Sequence, residues 1–261
     1  MNESEYLPGG SGGVWRIRDA EGVTRVHRPT GPWTPAVHEL LEHLRVHGLE
    51  GVPQVLGIDD DHREVLTYLP GETLDPELVE VTDAALVDAA AWLSKFHHAV
   101  KDFEPTSSLW RQGTRPLDRN AGEIICHNDP GLYNWVIIDG DFAGMIDWDR
   151  AGPGQPIDDL AFLCWSGVPL LREVPLEDVA RRLRLAATAY GGVDAAQLLE
   201  AVSHRMDLIA TRWRVGLENR DPGTLALKES GIMARHEARV SAFTQRRDEI
   251  RALLATERAE A

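Results

Sequence analysis

The 261-residue sequence predicts an α+β protein of two lobes: a small antiparallel sheet carrying one helix, then a larger, mostly helical part. Three observations lead there. Short alternating runs separated by turn residues occupy residues 14–69, with a single helical run among them. Beyond that stretch, apolar residues at helical spacing dominate. Between the two, Pro70-Gly71 breaks both patterns and marks a hinge. The expected division is residues 1–69 and residues 70–261.

The totals bound the function. A chain of this length can bury a proper core without staples. Against 27 basic residues stand 42 acidic ones, a formal charge of −15. That balance argues against unspecific binding to nucleic acid or to an anionic membrane, and is compatible with a cationic small substrate or simply with a soluble acidic surface. Met1 to Glu5 carry neither a basic region nor an apolar run, so no signal peptide is expected. No run approaches the roughly 18 apolar residues of a membrane span. Cys126 and Cys164 have no metal-ligand spacing and make no disulfide framework, so a reduced, cytoplasmic home is expected.

In the N-terminal lobe, Gly10, Ser11, Gly12 and Gly13 run into a strand over residues 14–18. Glycine lets backbone N–H groups approach phosphate closely, although the same cluster also suits a flexible linker. Asp19 to Gly22 form a turn and residues 23–28 return as a strand. Thr34 can cap a helix with Pro35 at its first position; Val37, Leu40, Leu41 and Leu44 lie at helical spacing and Gly48 stops it. Residues 54–59 and 64–69 read as strands joined by the acidic turn Asp59 to Asp61. With no further ligands nearby, that turn reads as solvated and not as a metal site.

In the C-terminal lobe, residues 79–100 read as a helix ending in His97 and His98, one of them a core or capping histidine. Residues 101–119 are loop-like. Residues 135–138 and 142–146 are strands around Asp139-Gly140-Asp141, a hairpin one residue longer than the tightest type. Helices follow over residues 156–165, 175–190 and 195–217, and a broken one over 225–254.

The run Ile125-Cys126-His127-Asn128-Asp129-Pro130-Gly131-Leu132-Tyr133-Asn134 carries the chemistry. Five residues after Asp129 comes Asn134, and after a strand-turn-strand comes Asp147 in Ile146-Asp147-Trp148-Asp149. Such a set can position a hydroxyl and hold a divalent metal against a nucleoside triphosphate. His127-x-Asp129-x-x-x-x-Asn134, Asp147 thirteen residues later and Asp159-Leu160-Ala161 resemble, in order, the motifs of the aminoglycoside phosphotransferase and protein-kinase-like superfamily. With the glycine cluster, hairpin, helix and hinge, the resemblance covers most of residues 9–165.

That resemblance implies a protein-kinase-like fold whose first lobe binds nucleotide and whose second carries catalysis and acceptor binding. It implies Asp129 as the base or hydroxyl-positioning carboxylate, His127 as support for the loop, Asn134 and Asp147 as Mg²⁺ ligands, and Asp159 as a brace. Asp149 is either a supporting residue or a solvated turn residue. ATP or GTP would lie under the glycine cluster and against the hinge at Tyr68 and Leu69, with a hydroxylated small molecule, such as a cationic aminoglycoside, as acceptor. Trp165, His204, Asp207, Arg212, Trp213 and Glu218 are acceptor-side candidates by location.

One departure stands out. The family has a lysine in the strand after the glycine loop, paired with a glutamate in the next helix. Here the strand is Thr24-Arg25-Val26-His27-Arg28. Arg28 is the nearest substitute, then Arg25, and the helix partner's place falls near His38, with Glu39 and Glu42 as neighbours. A guanidinium could clasp phosphates, but with different reach. The chain is therefore either an active enzyme using Arg28 or a weak or inactive kinase-like protein that binds nucleotide or peptide. Val26-His27-Arg28-Pro29 with Gly31-Pro32-Trp33-Thr34-Pro35-Ala36-Val37-His38 resembles a trifolitoxin-immunity-like bacterial branch, which implies self-protection against a peptide antibiotic.

Overall fold

A computed structural model describes residues 3–7, 13–75, 79–220 and 222–256, without the side chains of 212, 222, 223 and 226. Gly10, Ser11 and Gly12 lie outside the described residues. In the N-terminal lobe, β1 (Glu3–Leu7), β2 (Val14–Arg18), β3 (Thr24–Pro29), β4 (Val55–Ile58) and β5 (Arg63–Thr67) form one antiparallel sheet in the order β1-β2-β3-β5-β4. The edge strand β1 was not expected from the sequence. What secures it is cross-strand pairing: Tyr6 packs edge-on against Trp15 with ring centres 5.3 Å apart, and Glu5 pairs with Arg16. The Asp59 carboxylate accepts the Asp61 and Arg63 N–H groups at 3.0 and 2.9 Å, which makes the acidic turn a self-capped hairpin.

Helix α1 (Thr34–Val46) buries Leu40, Leu41 and Leu44. Thr34 does not cap it; its hydroxyl accepts the Gly31 N–H at 2.9 Å. Gly48, at φ +69°, ends the helix: its N–H bonds the Arg45 carbonyl and the Leu49 N–H bonds the Leu44 carbonyl. The loop after α1 touches the C-terminal lobe closely. Met145 N–H donates to the Gly51 carbonyl at 2.8 Å, and Trp92 Nε1 donates to the Glu50 carbonyl at 2.7 Å. Gly51 sits at φ +76°, and a Cβ there would fall 2.7 Å from the Ala143 carbonyl oxygen. No residue with a side chain fits that approach without a shift.

Past the hinge, Glu72 pairs with Ile137 through two backbone bonds. Helix α2 (Asp83–Ala99) starts later than the apolar spacing suggests, because the Thr82 hydroxyl caps it through Ala85 N–H. The loop-like stretch holds a small hairpin, β6 (Leu109–Trp110) with β7 (Gly113–Thr114). Then come β8 (Ile124–Cys126), β9 (Trp135–Ile138), β10 (Asp141–Met145) and β11 (Gly152–Gly154); β8 pairs with β11 and β9 with β10. The β9–β10 turn is the tightest type, contrary to expectation. Ile138 pairs with Asp141, leaving Asp139 (φ +52°) and Gly140 (φ +90°) as its two residues.

Among the described residues five further helices follow: α3 (Pro156–Gly167), α4 (Leu176–Tyr190), α5 (Ala195–Glu218), α6 (Pro222–Glu229) and α7 (Ile232–Thr256). A capping box of Asp194 and Gln197 starts α5, and Gly231 at φ +74° separates α6 from α7. Helix α2 packs on α4, and α3 on α5. Trp135, Trp148 and Phe96, all fully buried, fill the floor beneath the motif loop.

Candidate active site

The motif loop leaves β8, whose pairing with β11 fixes its entry. The side chain of Asp159, on α3, anchors it from below. Asp159 Oδ2 accepts His127 N–H at 2.7 Å, and Oδ1 accepts Asn128 N–H at 2.8 Å. His97 Nε2 adds a third bond to Oδ2 at 3.1 Å, while His97 Nδ1 meets the Tyr190 hydroxyl at 2.7 Å. Burial opposes the charge on Asp159, but the His97 and backbone bonds outweigh it and hold its carboxyl below the usual range. His97, Cys126 and Asp159 lie close enough to suggest a metal group, but these bonds account for Asp159 and His97 as the brace of the loop.

His127 is fully buried, with Trp148 beside its ring and Nε2 at 3.1 Å from the Ile146 carbonyl. Burial holds its pKa below 6.5, so at neutral pH it is an uncharged imidazole whose Nε2–H donates to that carbonyl. Asn128 takes φ +63°, and its side-chain amide donates to the Gly152 carbonyl at 3.0 Å. Asp147, at the end of β10, also takes φ +63°. Left-handed backbone at two non-glycine positions of one loop cluster is strain held in place by surrounding bonds.

Asn134 is buried and donates its amide N–H to the Asp129 carbonyl at 2.9 Å. Its own carbonyl accepts the N–H of Ile146, the residue before Asp147. Asp129, Asn134 and Asp147 are thereby tied to one another through the backbone. The Asp129 carboxylate accepts the Tyr133 hydroxyl at 2.5 Å and faces Arg150 Nε at 3.5 Å. Burial, followed by the neighbouring Asp129 charge, pushes the Tyr133 phenol far up, so it donates and stays protonated. Neither Tyr133 nor Arg150 was singled out from the sequence, though Tyr133 sits inside the motif.

On the facing lobe, Arg28 is at the end of β3 with its side chain 12% exposed. Its Nε pairs with Glu64 at 2.8 Å, its Nη1 with Asp147 at 3.3 Å, and its Nη2 with Asp149. Burial lowers the guanidinium's pKa, and the charges of Asp149, Glu64 and Asp147 more than restore it. Burial raises the Asp149 carboxyl, against the pull of Arg28. The partner of Arg28 is thus Glu64, on the neighbouring strand, and neither Glu39 nor Glu42 of α1. Glu39 instead accepts the Thr106 N–H, and Glu42 pairs with Arg45. His38 falls where the sequence put it, but it bonds the far oxygen of Glu64 at 2.8 Å. Of the two readings of Asp149, buried support holds and solvated turn does not.

Gly13, at φ +76°, closes on Pro29: an added Cβ would meet Pro29 Cγ at 2.8 Å. One face of Tyr68 is covered by the Arg16 guanidinium, 5.5 Å from the ring centre. Between α3 and the later helices, Arg205 stacks on Phe162 and donates to the Asn128 carbonyl at 3.0 Å, and Trp165 and Trp213 both face His236 at 5.0 Å. Arg205 was missed, since nothing in its sequence neighbourhood marks it. The side chain of Arg212 lies outside the described residues. No helix among them is long and apolar enough to cross a membrane.

Residues 107–196 match the phosphotransferase enzyme family, a range that includes the whole motif loop, Asp147 and Asp159. The trifolitoxin immunity protein of Rhizobium leguminosarum bv. trifolii is 32% identical over 206 residues, spanning 77% of this chain and 74% of that protein. Among solved structures, an amicoumacin kinase in complex with AMP-PNP and Ca²⁺ covers 95% of this chain and 88% of its own, with TM-score 0.64 and 16% identity. A choline/ethanolamine kinase family protein from Mesorhizobium loti covers 97% and 92%, with TM-score 0.61 and 16% identity. At these identities the two structures bear on the fold, which is kinase-like. By sequence the chain belongs to one family with the trifolitoxin immunity protein, and its motif region carries the phosphotransferase enzyme family match.

Proposed function

We propose that the chain is a small-molecule O-phosphotransferase that moves the γ-phosphoryl group of ATP or GTP to an acceptor hydroxyl. The observation that carries this reading is the backbone linkage of Asp129, Asn134 and Asp147 into one rigid group above the Asp159 anchor. In it Asp129 orients the hydroxyl in line with the γ-phosphorus and takes its proton late in the transfer. The acceptor O–H bond breaks as the new O–P bond forms. The bond from phosphorus to the β-phosphate bridging oxygen breaks, and its electron pair leaves with the nucleoside diphosphate. No phosphoenzyme is needed. His127, buried and neutral, supports the loop and attacks nothing.

Asn134 and Asp147 fit a hard divalent cation such as Mg²⁺. The amide nitrogen of Asn134 is committed to the Asp129 carbonyl, leaving its oxygen as a donor, and Asp147 keeps a 40% exposed side chain with one oxygen outside its Arg28 contact. Such an ion, when bound, offsets charge on the phosphate oxygens. The glycine cluster through Gly13, with Arg28, would hold the phosphates, and Tyr68 and Leu69 would border the base. All three Arg28 nitrogens are in ion pairs, but a guanidinium has five N–H donors and two remain for phosphate.

A net charge of −15 is compatible with a cationic acceptor, and an antibiotic of aminoglycoside type fits that description. The test is a screen of hydroxylated antibiotics and metabolites for ADP or GDP release. Asp129→Asn should lower turnover on any hit by about 10²–10⁴-fold; full turnover in that variant overturns the role assigned to Asp129.

The similarity to a trifolitoxin immunity protein favours a second reading, an immunity factor that binds nucleotide or peptide with little or no transfer. Tight peptide binding without nucleotide binding would establish it over the first.

A further inference from the structure

Arg28 belongs to a chain of contacts that spans both lobes and closes into a ring through the backbone of α1. Its Nε is on Glu64 of β5, its Nη2 on Asp149, and its Nη1 reaches Asp147 Oδ1 at 3.3 Å. Glu64, 3% exposed, passes the contact to His38 on α1 at 2.8 Å. Asp149 passes it to Arg111 at 2.7 Å, in the turn between β6 and β7. The Arg111 guanidinium lies 4.8 Å from the ring of Trp33, the residue that precedes α1. Three members of the ring, Arg28, Trp33 and His38, come from the single run Val26 to His38, and of these only Arg28 has a place in the catalytic scheme.

We propose that this ring is a cross-lobe clasp in which Arg28, Glu64 and Asp149 are positioning residues that keep Asp147 available to a divalent cation. The inference rests on the phosphotransferase reading and deepens it. Glu64 and Asp149 hold two edges of the guanidinium, so only Nη1 touches Asp147, at a longer distance and on one oxygen. Without the charge on Asp149, the guanidinium would turn its free edge to the Asp147 carboxylate, where a bidentate grip is its preferred geometry, and would compete with the cation. His38 and Trp33 link that arrangement to the first turns of α1, so the helix and the metal-side aspartate are set together.

The test is calorimetric titration of the full chain with ATP and with GTP over a series of magnesium concentrations. Asp149→Asn should raise the magnesium needed for half-maximal nucleotide binding about tenfold, the usual size of an outer-partner effect on a metal site. Arg111→Gln, at the more exposed edge of the ring, should move it the same way by less and serves if the first variant does not fold. In an Arg28→Gln background, Asp149→Asn should leave the magnesium requirement where that background puts it, because the competing cation is gone. The mere loss of a nearby negative charge would persist in that background. A purely structural role would lower the melting temperature and leave the magnesium requirement unmoved. An unchanged requirement in the single variants, or a shift that survives in the Arg28→Gln background, overturns the clasp. If the wild-type chain shows no magnesium-dependent nucleotide binding, the phosphotransferase reading falls and takes the clasp with it; such binding with no shift in the variants overturns the clasp alone.

Discussion

His127, Asp129, Asn134 and Asp147 are held mainly by backbone bonds, to Asp159 and to one another, within one short stretch of chain. Arg28, on the facing lobe, is held by side-chain ion pairs to three residues from two separate places, Glu64 of β5 and the Asp147-Trp148-Asp149 segment. The first arrangement depends on the path of the chain; the second depends on charge. Substitutions that preserve shape but remove charge should therefore spare the loop relative to the clasp, whereas loss of the one anchor that collects the loop's N–H groups should hurt most. A buried charge left without its partner costs more than a pair is worth.

Four predictions bear on that contrast, in falling order of effect. Asp159→Ala leaves the His127 and Asn128 N–H groups and His97 without their acceptor, and should destabilise the fold by about 3–5 kcal/mol in denaturant unfolding. Glu64→Gln keeps the volume and loses the charge between Arg28 and His38; the same measurement should read about 1–3 kcal/mol. A Glu64 variant that costs more than Asp159→Ala would reverse the contrast. Gly51→Ala, which strains a positive φ and crowds the Ala143 carbonyl where the lobes meet, should cost about 1–3 kcal/mol without altering any charge.

The smallest effect is on pH dependence. The folded-state pKa of His127 lies below 6.5, so below that pH the unfolded chain takes up a proton that the folded chain refuses. Stability should fall as pH drops from about 7 toward 5, by at most about 1.4 kcal/mol per pH unit for one such group. Half-buried His236, also shifted down by desolvation, adds to the same window. Asp159 acts lower: its depressed pKa contributes stability present above about 3.8 and lost as pH falls through its folded-state value. Denaturant midpoints at pH 7 and 5 for the wild type and His127→Gln check the upper slope, which should flatten in the variant.

The loop was legible in the sequence because its parts are local. The spacing from His127 to Asn134 and on to Asp147 survives folding unchanged, and the hairpin between β9 and β10 follows from Asp139-Gly140. The helices after Pro156 and Pro175 were equally plain, since proline fixes where each begins. What escaped was long-range. Strands β3 and β5 are not neighbours in the chain, so the register that sets Arg28 opposite Glu64 left no spacing to count. For the same reason the partner expected for Arg28 on α1, near His38, lies one contact too far along the ring. The edge strand β1 depends on Trp15 and Arg16 of its neighbour, and Arg205 reaches the Asn128 carbonyl from 77 residues away.

On the proposed reading, Asp147 and Asn134 close a metal-dependent nucleotide site beside Asp129, and every other role depends on that closure. The decisive measurement is calorimetry of the wild type and Asp147→Asn with ATP and GTP, with and without magnesium. Wild-type binding should weaken at least about tenfold when magnesium is withheld, and Asp147→Asn should show a similar weakening with magnesium present. Binding that is equally tight without magnesium, or unchanged in Asp147→Asn, would contradict it.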